Sequence, residues 1–147
     1  MARMGICMRN VDEDMHALFL DVVADDVEDI RFTYNLNEMK RVIGEKVIAV
    51  RKVTVEGVPF RVVTACDADV KPNEGASNRK VSAISPDGKV VFRGNLLFLA
   101  SYKDGEDEVM RSLNATEMVH LKDHVALVDI GTDKKYNTYA MCDVELI

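Results

Sequence analysis

The chain has 147 residues, a formal net charge of −6 and an apolar fraction of 48%. This length fits one domain with a substantial hydrophobic core, and the composition excludes a disordered chain. The negative charge argues against non-specific attraction to nucleic acid or to an anionic membrane surface. Direct nucleic-acid binding is therefore not expected.

The cysteines and the apolar runs indicate the compartment. Cys7, Cys66 and Cys142 are an odd number without a CxxC pair, which predicts free thiols in a reducing environment. Apolar runs fall far short of the roughly 20 residues that span a bilayer, and residues 1–10 lack the apolar stretch of a signal peptide. We expect a cytoplasmic protein without membrane association. Cys66 lies in an apolar stretch and is predicted to be a packing residue.

The first part of the chain predicts an irregular arm and then a hairpin. Residues 1–14 show no clear period, so the arm is assigned to 1–14 and a single domain to 15–147. β-Branched and aromatic residues over 16–24, and strict alternation over 30–34, are typical of two strands. These two segments are predicted to form the first hairpin.

Two short helices are predicted by the same capping signal. Asn35 is followed three residues later by Glu38, and Gly44 supplies a stop. The apolar face of this helix would consist of Leu36, Met39 and Ile43. A second helix is expected to begin after Asn114, with Glu117 at the capping-box position, and to end near residue 122. An isolated helix this short is marginal in water, so a sheet must cover each one.

The remaining segments predict strands. Residues 46–56 and 58–66 form a second predicted hairpin, whose neighbouring apolar residues are typical of central strands covered on both faces or carrying a bulge. Further strands are expected over 80–84, 90–93, 96–100, 124–130 and 138–144, and an acidic loop over 104–108. The pattern indicates an α+β fold, a mostly antiparallel twisted sheet with two short covering helices. Residues 138–146 are predicted either to pair across a two-fold axis in a homo-oligomer or to close the sheet within one chain.

The best candidate binding site is the polar loop between the strands that end at 66 and begin at 80. It offers a hydroxyl, an amide, a guanidinium and an ammonium, which are donors that suit a phosphate or a carboxylate, on Ser77, Asn78, Arg79 and Lys80. Asn95, at the break before the apolar residues 96–99, is grouped with them as a ligand residue. In the alternative, which we favour, Asn78 and Arg79 hydrogen bond to Asp67 or Asp69 and order the loop.

Two carboxylates in this loop are further candidate ligand residues. Asp67 and Asp69 begin like a calcium loop, but Lys71 stands where an acidic or amide ligand is needed. The simpler interpretation is a solvated loop in which the carboxylates lie near Lys71, Arg79 and Lys80.

Metal binding is considered for one histidine pair. His120 and His124 are one helical turn apart and could share a metal, but the metalloprotease pattern fails because no Glu directly follows His120. Two histidines at a helix C-terminus are also explained by the helix dipole. We assign no metal, no cofactor and no catalytic residue.

The order of these features resembles an uncharacterised family, domain of unknown function 3846. The resemblance rests on the Asn78-Arg79 pair, on Gly94 before the apolar residues 96–99, and on Ser112-Leu113-Asn114 leading into Glu117. Members of that family occur largely in phages, plasmids and other mobile elements. The resemblance implies a setting inside a bacterial cell and no mechanism.

Three hypotheses about the function are consistent with the sequence. The leading hypothesis is a non-catalytic phage- or mobile-element-type protein that binds a host factor, with counter-defence as its candidate role, because no catalytic constellation is found. The alternative is a pocket protein that binds or sequesters a small phosphorylated, nucleotide-like ligand. The third is a metal-dependent enzyme that uses His120 and His124.

Overall fold

The computed structural model describes residues 9–69, 79–128 and 138–147. Within these ranges it contains eleven strands and two helices. In chain order they are β1 (Asp14–Asp21), β2 (Asp26–Thr33), α1 (Leu36–Ile43), β3 (Ile48–Val55), β4 (Val58–Ala65), β5 (Val81–Ile84), β6 (Val90–Arg93), β7 (Leu96–Asp104), β8 (Asp107–Arg111), α2 (Ala115–Asp123), β9 (Val125–Val128), β10 (Thr138–Met141) and β11 (Val144–Leu146).

The strands form two sheets. The main sheet has the order β11-β3-β4-β7-β1-β2, with β8 paired to the outer part of β7, and all of its pairings are antiparallel. The small sheet has the order β6-β5-β10-β9, and β5 and β10 pair in parallel. The α+β prediction with a mostly antiparallel sheet is therefore confirmed.

Both faces of the main sheet are covered. In β7, Leu96 and Phe98 contribute to the core cluster that includes the small sheet and α2, whereas Leu97 and Leu99 contribute to the cluster on the α1 side. The same alternation separates Val62 from Val63 in β4. Successive side chains of a strand point to opposite faces, so a continuous apolar run requires two covers.

Each helix is capped at its N-terminus by the predicted asparagine. Asn35 accepts a hydrogen bond from the Glu38 N–H at 2.8 Å, and α1 ends at Gly44, which has a φ of 80°. Asn114 and Glu117 form a complete capping box at the start of α2. The predicted face of α1 is confirmed for Met39 and Ile43, which are buried, whereas Leu36 is exposed.

Several predicted boundaries are wrong for identifiable reasons. The first strand ends at Asp21, because its carboxylate accepts hydrogen bonds from the N–H groups of Val23 and Ala24 and closes a turn. The predicted acidic loop 104–108 is a hairpin in which Asp104 pairs with Asp107, so β7 is longer than expected and β8 was missed.

The predicted last strand divides between the two sheets. β10 pairs with β9, as predicted for a closing hairpin, and also with β5, whereas β11 joins β3 at the edge of the main sheet. Both β10 and β11 therefore pair with strands of the same chain, which is the second of the two arrangements predicted for residues 138–146. Residues 129–137, which include the predicted turn, lie outside the described residues, as does most of the predicted N-terminal arm.

An ion pair between Arg111, at the end of β8, and Glu117, in the first turn of α2, makes the stability of the fold pH-dependent. Arg111 donates two hydrogen bonds of 2.8 Å to the Glu117 carboxylate, and these bonds are the main cause of the lowered pKa of Glu117. A depressed carboxyl pKa stabilises the fold above the unfolded pKa, and this contribution is lost as the pH falls through the folded pKa. Glu117→Gln is expected to cost about 1 kcal/mol near pH 7.

Urea unfolding of Glu117→Gln and of the parent at neutral pH and near pH 3 checks this. The difference in unfolding free energy is expected to shrink at the lower pH, and Glu106→Gln, in the exposed β7–β8 turn, serves as a matched control. A difference that stays the same at both pH values would contradict the assignment.

Candidate functional site

Arg79 is the centre of a polar junction between three segments. Its guanidinium donates to both carboxylate oxygens of Glu45, at 3.1 and 2.8 Å, and to Asp67 at 2.7 Å. Glu45 directly follows the C-cap of α1, Asp67 follows β4, and Arg79 precedes β5. Hydrogen bonding to Glu45 is the main reason that the pKa of Arg79 is raised. The Arg79–Asp67 hydrogen bond that the favoured alternative predicted is therefore present, whereas Asn78 lies outside the described residues.

Gly94 is required by the position of the Arg79 side chain. A Cβ at Gly94 would lie 2.6 Å from Cδ of Arg79, and the φ of Gly94 is +91°. The Gly94 N–H also donates to the Lys80 carbonyl at 2.8 Å. The aliphatic part of the Arg79 side chain therefore lies directly against the backbone of Gly94.

Asn95 joins β1 to α1 at the same junction. Its Oδ1 accepts from the Val22 N–H at 2.9 Å, and its Nδ2 donates to the Ile43 carbonyl at 3.0 Å. The side-chain amide thus provides hydrogen-bond partners for two backbone groups at the ends of β1 and α1, which have no partner within their own strand or helix. Asn95 is a positioning residue for this part of the fold.

A cavity of about 270 Å³ opens at the junction. Arg79, Lys80 and Asn95 line it together with Glu45 and two valines, Val22 and Val23. The Lys80 ammonium lies 3.2 Å from Asp25, so both cations of the cavity face carboxylates. The structure brings three of the predicted donors together, and an anion would have to compete with these ion pairs. Ser77 and Asn78 lie outside the described residues.

The two aspartates of the loop contact different arginines. Asp67 pairs with Arg79, whereas Asp69 accepts hydrogen bonds from Arg51 at 3.0 and 2.9 Å, which lowers the pKa of Asp69. Asp69 therefore pairs with Arg51, an arginine that the solvated-loop interpretation did not name. Lys71 lies outside the described residues.

Cys66 does not lie in a strand, contrary to the sequence-based prediction. β4 ends at Ala65, and Cys66 is exposed in the turn that follows. The prediction that it packs in an apolar strand is wrong, because the strand stops one residue earlier than its apolar pattern indicated.

His120 in α2 and His124 at its C-cap direct their rings to different hydrogen-bond partners. His120 Nε2 lies 2.7 Å from the Val55 carbonyl, whereas Nδ1 of His124 lies 2.8 Å from the His120 carbonyl. This hydrogen bond is the largest cause of the raised pKa of His124. His124 therefore lies at the C-terminus of α2, as the helix-terminus interpretation expects. Its Nε2 contacts Glu56, a residue that the sequence analysis did not single out.

A second concave surface was not anticipated, and we call it the acidic cleft. It has a volume of about 510 Å³ and is lined by Asp25, Asp26, Val27, Lys122, Val125 and Tyr139. Residues 21–29 carry five acidic side chains. Two of these are neutralised by lysines, since Lys80 pairs with Asp25 and Lys122 with Asp29. Of these five, Asp25 and Asp26 line the cleft, together with the basic Lys122, so the lining itself carries a small negative charge.

An apolar sheet face continues from the core into this cleft. Val125 pairs with Met141, and Leu127 with Tyr139, in the β9–β10 ladder. Met141 is fully buried, whereas Tyr139 and Leu127 are 40% and 57% exposed. Residues two apart in a strand share a face, so the covered face extends outward without a cover from the described residues.

Comparisons with protein families, with curated proteins and with solved structures find no match for this chain. The resemblance to domain of unknown function 3846 stays a prediction. Neither of the two helices in the described ranges has the length or apolar character that crossing a membrane requires.

Replacing Gly94 tests the junction directly. Gly94→Ala is expected to lower the free energy of unfolding by about 1–3 kcal/mol more than Gly88→Ala does. Gly88 has a similar φ of +84°, but a Cβ there would meet nothing within 4 Å, so this control carries the backbone strain without the steric conflict.

Chemical denaturation of both variants gives the comparison. In an Arg79→Ala background the Gly94→Ala penalty should fall to that of Gly88→Ala, because the obstructing side chain is gone. Equal penalties for the two glycine variants in the parent background would contradict the described packing.

Proposed function

We propose that this chain is a non-catalytic protein that binds a partner protein through the acidic cleft. The observation that carries the proposal is the continuation of the β9–β10 apolar face from the core to Tyr139 and Leu127, beside the acidic turn. Exposed aromatic and aliphatic side chains beside a polar rim are typical of protein interaction surfaces.

The charges of the cleft favour one partner chemistry. The hydrogen bond between Glu28 and Asp26 is the main cause of the raised pKa of Glu28, and repulsion from Asp26 and Asp21 adds to it. Glu28 is outside the lining of the cleft but is hydrogen bonded to Asp26, which lines it, so the local negative potential lies at the edge of the cleft, where a cation would relieve it. The occupant is therefore a protein segment with basic side chains around an apolar one that contacts Tyr139.

The setting of this interaction comes from the family resemblance. A phage- or mobile-element-type protein would meet its partner in the bacterial cytoplasm, and that partner would be a host factor, in keeping with a role in counter-defence.

Affinity capture with matched variants tests the proposal. A host protein retained by the parent should be lost with Tyr139→Ala, with a fall in affinity of about 30-fold, because buried tyrosines contribute strongly at interfaces. Tyr102→Ala is the control, since Tyr102 is 44% exposed on β7. Retention should also weaken as salt is raised.

Two results would overturn this function. One is capture that falls equally with Tyr139→Ala and Tyr102→Ala, because the cleft then makes no specific contribution. The other is turnover of a nucleotide or peptide by the pure protein, since the proposed role is non-catalytic.

A second candidate is the binding of a small phosphorylated ligand in the cavity at Arg79. The observation that favours it is that Arg79, Lys80 and Asn95 line one cavity. The contacts with Glu45, Asp67 and Asp25 oppose it, because an incoming phosphate must displace carboxylates from both cations.

Calorimetry with inorganic pyrophosphate and with ADP tests this candidate. Binding should strengthen with Glu45→Gln, because a competing carboxylate is removed while Arg79 remains, and should be lost with Lys80→Gln. Glu106→Gln gives the same change in net charge elsewhere. No binding by the parent and none by Glu45→Gln would exclude an anion site here.

A further inference from the structure

Three turns that are far apart in the chain meet at one edge of the structure. Glu56 lies in the β3–β4 turn, His124 caps the C-terminus of α2, and Asp143 lies between β10 and β11. The Glu56 N–H donates to the Asp143 carbonyl at 2.9 Å, and the Cys142 N–H donates to the His124 carbonyl at 2.7 Å. Backbone hydrogen bonds therefore fix the three turns relative to one another.

The ring of His124 is oriented by the helix that it caps. Its Nδ1 lies 2.8 Å from the His120 carbonyl oxygen, and a carbonyl only accepts, so Nδ1 carries a hydrogen. In the neutral ring the lone pair is then on Nε2. This atom contacts the Glu56 carboxylate and lies 4.0 Å from Oδ2 of Asp143.

These side chains place three acceptor atoms around one point. One ligand atom from each of Glu56, His124 and Asp143 lies within 4.8 Å of the other two. We propose that these three residues bind a divalent transition-metal cation, with Zn²⁺ as the reference ion. An imidazole nitrogen and two carboxylate oxygens are ligands that zinc accepts in proteins, with water completing a tetrahedron.

The spacing suits such a cation after small side-chain rotations. Ligand atoms around tetrahedral zinc lie about 3.3 Å apart, given metal–ligand bonds near 2 Å. The Glu56 side chain is 65% exposed and free to rotate back from His124, while Asp143 closes in from 4.0 Å. The His120 carbonyl supplies the outer hydrogen bond that typically orients a metal-binding imidazole.

This site differs from the histidine pair considered in the sequence. His120 contributes its backbone carbonyl, and its ring is directed to the Val55 carbonyl instead. The bound cation would fasten the β3–β4 turn of the main sheet to α2 and to the β10–β11 connection. The cation thus has a structural role that is independent of the acidic cleft.

Zn²⁺ binding to the full chain tests the site. The exposed thiol of Cys66 would bind zinc, so the measurement uses a background in which Cys7 and Cys66 are serine. Calorimetry should show one Zn²⁺ per chain, and Glu56→Gln and Asp143→Asn should each weaken binding at least about 10-fold. Both substitutions preserve side-chain size, and Asn suits the φ of 61° at Asp143.

Glu145→Gln is the matched control, because it removes a neighbouring carboxylate with the same change in net charge. It should bind Zn²⁺ like the background protein. Circular dichroism melts without metal establish that each variant is folded, and the Co²⁺ form should lack the near-ultraviolet band of a thiolate ligand.

Three outcomes would overturn the proposal. The first is the absence of saturable binding, which leaves the cluster as an ion pair only. The second is an equal loss with Glu145→Gln, which would reflect net charge. The third is binding that survives Glu56→Gln and Asp143→Asn but is lost with Cys142→Ser, which would assign the ion to a thiol.

Discussion

The structure depends on the burial of β7 from both sides. Leu96 to Leu99 are completely buried, and this stretch pairs with β1 along one edge and with β4 along the other. Such a strand is stable only if each face has its own cover, because an exposed apolar face would remain in water. α1 covers one face, while α2 and the small sheet cover the other, so most of the remaining chain serves this strand.

The candidate sites lie where these covers meet the main sheet. Arg79, Gly94 and Asn95 connect the start of the small sheet to the ends of β1 and α1 through ion pairs and backbone hydrogen bonds. The acidic cleft opens beside α2 and the outer end of the small sheet. Polar groups concentrate where the layers meet because the layers themselves are apolar, so the candidate binding surfaces lie there as well.

Sequence signals predicted the local features and missed those that depend on distant contacts. The asparagine caps and Gly44 act within a few residues of the chain, so the sequence alone predicted them correctly. β8 was missed because only Val109 and Met110 of its five residues are buried, which leaves little periodicity. Two sites consist of residues that are far apart in the chain, namely the cluster of Glu56, His124 and Asp143 and the cleft at Tyr139. No spacing in the sequence predicts either of them.

Native-state hydrogen exchange tests most directly whether β7 is the strand that everything else covers. The amides of Leu97, Phe98 and Leu99 should exchange only through global unfolding, with a free energy equal to that from denaturation. Those of Ala126 and Leu127 in β9 should exchange faster, through local opening. Exchange of the β7 amides at the β9 rate would contradict the account, because the covers would then not hold the strand.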